Sequence, residues 1–202
     1  MIQKLVILFV FVCNLSSYAQ SGWQSFVPHG QKVDTVTRGD LNKDGIDDIV
    51  FVSQTAEDPE HNSTDRTLKI LFGQADGSYK LAATSRGAVA GKNEYGYVFF
   101  SGVIIRKGVL TVEHEYLRGG CTHIYRYQNG GFYLIGASTN TGDPVQNSSI
   151  EYNMSTGNYV SEYINYDDEK LSRTVKGTLK LAKLPRIDDY ELFTIEVASQ
   201  QL

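Results

Sequence analysis

The sequence predicts a single all-β domain, and three observations carry that prediction. Short β-branched runs alternate apolar and polar residues, glycine-containing dipeptides punctuate them, and no stretch of a dozen residues holds a 3.6-residue apolar period. Nineteen glycines and thirteen tyrosines against four prolines tilt the balance further toward strands joined by tight turns.

The first element in chain order reads as an export signal over residues 1–19. Lys4 supplies its positive end, Leu5 to Cys13 is an unbroken apolar run, and Ser17-Tyr18-Ala19 offers the small residues a signal peptidase recognises, with cleavage after Ala19. The apolar run is shorter than the roughly 20 residues a bilayer span needs, and no later segment approaches that length. Val12 stands where a lipoprotein signal resembles glycine, alanine or serine, which argues against a lipid anchor at Cys13. The expected location is therefore periplasmic or secreted.

Cleavage would remove Lys4 and Cys13, lower the formal charge of −4 by one unit and leave Cys121 as the single cysteine. A single cysteine forms no internal disulfide, so packing and any bound metal must hold residues 20–202 together as one domain. The mild acidity, with no basic stripe, argues against nucleic acid and anionic membrane as partners and leaves a protein or a glycan.

The clearest secondary structure is an antiparallel meander over residues 97–136. Its runs are separated by Lys107-Gly108, Gly119-Gly120 and Asn129-Gly130, each able to supply the positive φ angles of a two-residue hairpin. Taken literally, these turns pair Tyr127 with Phe132, Tyr125 with Leu134, His114 with Tyr125 and Leu110 with Ile105. One face then collects Val103, Ile105, Leu110, Val112, His114, Tyr116, His123, Tyr125, Tyr127, Phe132 and Leu134. The other carries Thr111, Glu115, Gln128 and a Glu113–Arg126 pair, as a sheet packed on one side requires. Further strands are expected at 48–53, 68–72, 79–83, 149–154, 159–164 and 175–184. Residues 55–65 form a polar loop, and the tail beyond Pro185 has no clear pattern.

The nine residues Asp40-Leu41-Asn42-Lys43-Asp44-Gly45-Ile46-Asp47-Asp48 point to calcium. Hard cations take six to eight oxygens, and side chains at alternate positions of a loop can curl toward one centre. Asp40, Asn42, Asp44, the Ile46 carbonyl and Asp48 form that set, Gly45 permits the turn, and Asp47 points outward. An EF-hand needs a glutamate at loop position 12 and flanking helices; here that position is Phe51, inside a strand-like exit.

The segment Gly39-Asp40-Leu41-Asn42-Lys43-Asp44-Gly45-Ile46-Asp47-Asp48-Ile49-Val50 resembles the calcium-loop signature of FG-GAP/VCBS repeats, the units of integrin α-chain propellers and of many bacterial exported proteins. Leu68-Lys69-Ile70-Leu71-Phe72-Gly73 and Ala75-Asp76-Gly77-Ser78-Tyr79 extend the likeness across residues 33–84. The resemblance implies calcium on the five residues named. Only one complete loop is present, whereas a propeller needs several blades. The expected architecture is one propeller-blade-like unit packed beside the meander, not a full propeller.

Two other constellations could carry chemistry. Cys121 and His123 share a strand face with His114 diagonally across, a geometry that admits a Cys/His/His metal site or a Cys–His nucleophile. Their place on the apolar face favours a packing role. The acidic pairs Glu113/Glu115, Asp167/Asp168 and Asp188/Asp189 read as solvated surface. The function these features predict is a non-enzymatic, calcium-binding interaction module. An envelope inhibitor or immunity-type protein contacting its partner through residues 57–65 is the alternative, and a hydrolase using Cys121, His123 and His114 the third reading.

Overall fold

The structure, a computed structural model, describes residues 22–202; the export signal, its cleavage point and Cys13 lie outside them. The chain is all-β and antiparallel, as the alternation requires. Four strands, β1 (Lys32–Gly39), β2 (Asp48–Gln54), β3 (Arg66–Gly73) and β4 (Tyr79–Ser85), form one up-and-down sheet in the order β1-β2-β3-β4. This is the blade-like unit expected over residues 33–84. A second sheet holds β5 (Phe99–Arg106), β6 (Val109–Tyr116), β7 (Gly119–Gln128), β8 (Gly131–Gly142), β9 (Gln146–Asn153), β10 (Asn158–Asn165) and β11 (Arg173–Thr178), again in sequential order. The short pair β12 (Glu196–Val197) and β13 (Gln200–Gln201) closes the described chain. Among the described residues no helix is long and apolar enough to cross a membrane.

The two sheets share one apolar core. Val50, Val52, Leu68 and Ile70 from the first sheet meet Leu110, Val112, Tyr125, Phe132, Leu134, Ile150 and Tyr152 from the second. Phe72 on β3 packs edge-on against Tyr127 on β7 with ring centroids 5.0 Å apart. Each fully buried aliphatic or aromatic side chain of this kind contributes about 1.5–3 kcal/mol. β2 is buried on both faces. Its other side, Ile49 and Phe51, is roofed by a short 3₁₀ turn, Trp23–Phe26, whose indole lies 5.3 Å from the Phe51 ring.

The meander has the predicted faces but not all of its predicted pairs. Lys107-Gly108 and Asn129-Gly130 are hairpin turns with positive φ at both residues, and Leu110–Ile105, Tyr127–Phe132 and Tyr125–Leu134 pair as expected. Gly119-Gly120 is not a turn. Tyr116 pairs with Gly119, so Leu117-Arg118 is the loop, and His114 faces Cys121 rather than Tyr125. Glu113 accordingly faces Thr122, while Arg126 faces Val109. The glycines serve a different end: a Cβ on Gly119 would collide with the Asn140 carbonyl oxygen of β8, and one on Gly120 with the His114 carbonyl. They are strand positions where neighbouring backbone comes too close for a side chain. The slip of four residues is even, so every side chain keeps its predicted face.

Three further departures matter. The last expected strand, 175–184, stops at Thr178 as β11. The residues between β4 and β5 bury Ala88, Val89 and Ala90 without forming a strand. The patternless tail beyond Pro185 inserts Ile187, Tyr190, Leu192 and Val197 into the core.

Candidate functional site

The loop joining β1 to β2 contains all five predicted calcium ligands. Asp40 sits above the turn, its Oδ1 accepting from the amides of Lys43 at 2.6 Å and Asp44 at 3.2 Å, its Oδ2 from Gly45 at 3.0 Å. Asp44 accepts from the Ile46 amide at 2.8 Å and from the Asn42 side chain at 2.8 Å. These are the local turn bonds that short acidic side chains favour, and they give the loop its shape. Gly45 makes the sharp turn at φ +85°. Asp44 and Asp47 are exposed, Asp40 and Asn42 partly so.

Asp48 is different. It is fully buried, and its carboxylate accepts from Leu41 N at 2.8 Å, Asn42 N at 3.3 Å and, across the sheet, Gly73 N at 3.1 Å. Burial pushes this carboxyl above its usual range, the three amides pull it back, and the nearby Asp44 charge pushes it up again. Among the described residues no lysine, arginine or histidine forms an ion pair with it. A buried carboxylate beside a second acid, with amides but no cation, is suited to receive one.

The loop also reaches the second sheet. A Cβ on Gly39 would strike Ile105 on β5, and one on Gly108, in the β5–β6 turn, would sit 3.6 Å from the Asp40 carbonyl oxygen and 3.4 Å from Lys43. Leu41 is buried in the shared core. The loop therefore touches both sheets.

Among the described residues, the triad of donors close enough to share one ion lies elsewhere. One donor atom each from His114, Cys121 and His123 falls within 4.8 Å of the others, and all three residues are buried. Strand pairing sets Cys121 directly opposite His114 and keeps His123 diagonal to it. Burial holds His114 down at about 4 and His123 at about 3, so both imidazoles are neutral at pH 7, and it raises the Cys121 thiol. The Ala90 amide donates to His114 Nε2 at 3.1 Å, and the Tyr190 hydroxyl lies 2.9 Å from His123 Nε2. Among the described residues, both Nδ1 atoms and the Tyr125 hydroxyl have no hydrogen-bond partner. Sequence reasoning saw this face but not its two covering segments, which carry no strand signal.

The outer face of the second sheet is concave between β7 and β10. An extra residue, Ile135, bulges β8 there and bends it, opening a groove of about 560 Å³. Ile124, Ile135 and Val160 make it partly apolar, while Glu151, Asn153 and Asn158 supply polar groups.

No protein-family model, curated protein or solved structure matches the chain.

Proposed function

We propose that the protein is an exported, calcium-stabilised β module that binds a protein or glycan and performs no chemistry of its own. The observation that carries this reading is the buried Asp48 carboxylate, which has three amide donors, a neighbouring acid and, among the described residues, no cationic partner. The donor set of Asp40, Asn42, Asp44, the Ile46 carbonyl and Asp48 is all oxygen, the chemistry a hard divalent ion prefers. Calcium there would draw the carboxylates of Asp40, Asp44 and Asp48 toward one centre, offset their charge and lock the loop that joins β1 to β2. Asp40 and Asp44 now spend their oxygens on loop amides, so binding exchanges some of these bonds for the ion.

The groove on the second sheet supports the binding part of the reading. Its volume lies within the range of ligand sites, and its mixed apolar and amide lining suits an extended peptide or a sugar chain. The buried, raised thiol of Cys121 supports a non-catalytic role for that cluster, because the nucleophile is the thiolate. The inhibitor alternative keeps one observation: Glu57 and Asp58 are exposed on the 55–65 loop, where they pair with Lys92 and His61.

The test is thermal unfolding with calcium and with chelator, on the wild type and on a D40A/D44A double variant. Calcium should raise the wild-type melting temperature and leave the variant unmoved. A wild type indifferent to chelation removes the calcium claim. Recovery of a stoichiometric enzyme from an envelope fraction would favour the inhibitor reading.

A further inference from the structure

The core holds polar atoms that the calcium-stabilised module does not use. His114 is 2% exposed, His123 0% and Cys121 4%, yet one donor atom of each lies within 4.8 Å of the other two. Imidazoles without a partner in an apolar core lose the free energy of their water hydrogen bonds, so buried polar groups are normally satisfied. Here the Nε2 atoms are engaged by Ala90 and Tyr190, and the Nδ1 atoms are not engaged at all.

We propose that His114 Nδ1, Cys121 Sγ and His123 Nδ1 form a trigonal site for a monovalent thiophilic metal ion, cuprous copper. One thiolate and two imidazoles are soft to intermediate donors, which excludes calcium and magnesium. Charge and coordination number then separate the remaining metals. A cuprous ion with one thiolate and two neutral imidazoles has no net charge, and the surrounding side chains, Tyr125, Tyr190 and Phe100, offer no countercharge. Arg66, stacked 5.3 Å over Phe100 at the edge of this region and paired with Asp34 at 2.8 Å, brings no countercharge for a net positive site. Zinc with the same donors carries one positive charge and needs a fourth ligand. The hydroxyls of Tyr116, which bonds Cys121, and of Tyr125 belong to phenols whose ionisation burial disfavours.

Loading balances with one proton released. The Cys121 thiol gives up its proton to solvent as the sulfur–metal bond forms, and copper stays cuprous throughout. Because the Ala90 amide donates to His114 Nε2, the neutral ring carries its proton on Nδ1. Metal binding at Nδ1 moves that proton to Nε2, where it faces the Ala90 N–H and ends the hydrogen bond. His123 needs no such change, since its Nε2–H can donate to the Tyr190 hydroxyl and so orient the ring. Copper loading should therefore loosen the segment between β4 and β5 at Ala90 while leaving Tyr190 in place.

The experiment is anaerobic titration of the full protein with cuprous ion in competition with a chromophoric cuprous chelator. It is run on native protein and on protein refolded with the metal, with zinc titrated in parallel. One equivalent of copper should be retained, and Ala90 amide exchange should quicken in the loaded protein. Cys121→Ser, which preserves volume, should lose at least tenfold in affinity with unchanged circular dichroism. Asp40→Ala should keep full copper stoichiometry, separating this site from the calcium loop. Failure to retain copper by either route, retention by Cys121→Ser, or tighter binding of zinc than of copper would overturn the assignment.

Discussion

The Gly73 amide at the end of β3 donates to the buried carboxylate of Asp48 at the start of β2, 3.1 Å away. Through the same side chain, Leu41 and Asn42 are drawn in from the opposite end of the acidic loop. One carboxylate thus fastens the loop to itself and to a neighbouring strand.

Asp48→Ala should be among the most damaging single changes in the first sheet. It strands three amide donors, and unmet buried groups cost about 1–3 kcal/mol each. Urea unfolding should show a loss of roughly 3 kcal/mol or more, whereas Asp47→Ala, at an exposed neighbouring position, should stay within about 0.5 kcal/mol.

Calcium at one hundred times its dissociation constant should stabilise the wild type by about 2.7 kcal/mol. For a chain of this size that is a rise of roughly 5–10 °C in melting temperature. Asp44→Ala should abolish the rise without lowering the calcium-free value much, because its side chain is exposed.

Acid should unfold the protein through its core histidines. His114 and His123 sit at about 4 and about 3 when folded and near 6.5 when unfolded, so the unfolded chain binds more protons between those values. Their contribution is complete above about pH 6.5 and falls away as the pH drops, by on the order of 3 kcal/mol for each histidine at pH 4. His114→Gln, which can still accept from Ala90, should flatten that dependence. A stability curve level from pH 7 to pH 4.5 would contradict it.

Cys121 should resist iodoacetamide at pH 8 in the native state and react fully in denaturant, as mass spectrometry would register. Rapid native alkylation would mean that the thiol reaches solvent, against its burial in the core.

Gly119→Ala should cost at least about 2 kcal/mol, since its Cβ meets the Asn140 carbonyl at a φ of +122°. Gly130→Ala, in an open turn at φ +75°, should cost about 1 kcal/mol.

Much of the architecture could be read from residue alternation because a strand's period of two is local. Val112, His114, His123, Tyr125 and Leu134 declare their face whatever their partners are. Pairing is less local. Gly119-Gly120 has the composition of a turn, and only the approach of Asn140, distant in sequence, reveals it as a strand. The acidic loop between β1 and β2 was legible because its oxygen-bearing side chains lie within nine residues. The segments carrying Ala90 and Tyr190 were not, since they bury side chains without periodicity and owe their course to the sheet beneath. Cys121 and the two histidines could be placed on one face from sequence, but their unpartnered nitrogens depend on those two segments.

Trp23 is the only tryptophan, and it touches Phe51 in the small layer outside the first sheet rather than the main core. Its fluorescence therefore watches the roof and not the house. If the 3₁₀ turn lifts away before the sheets separate, emission will change at a lower denaturant concentration than the far-ultraviolet dichroism. A single optical probe would then mistake the loss of a lid for the melting of the whole molecule.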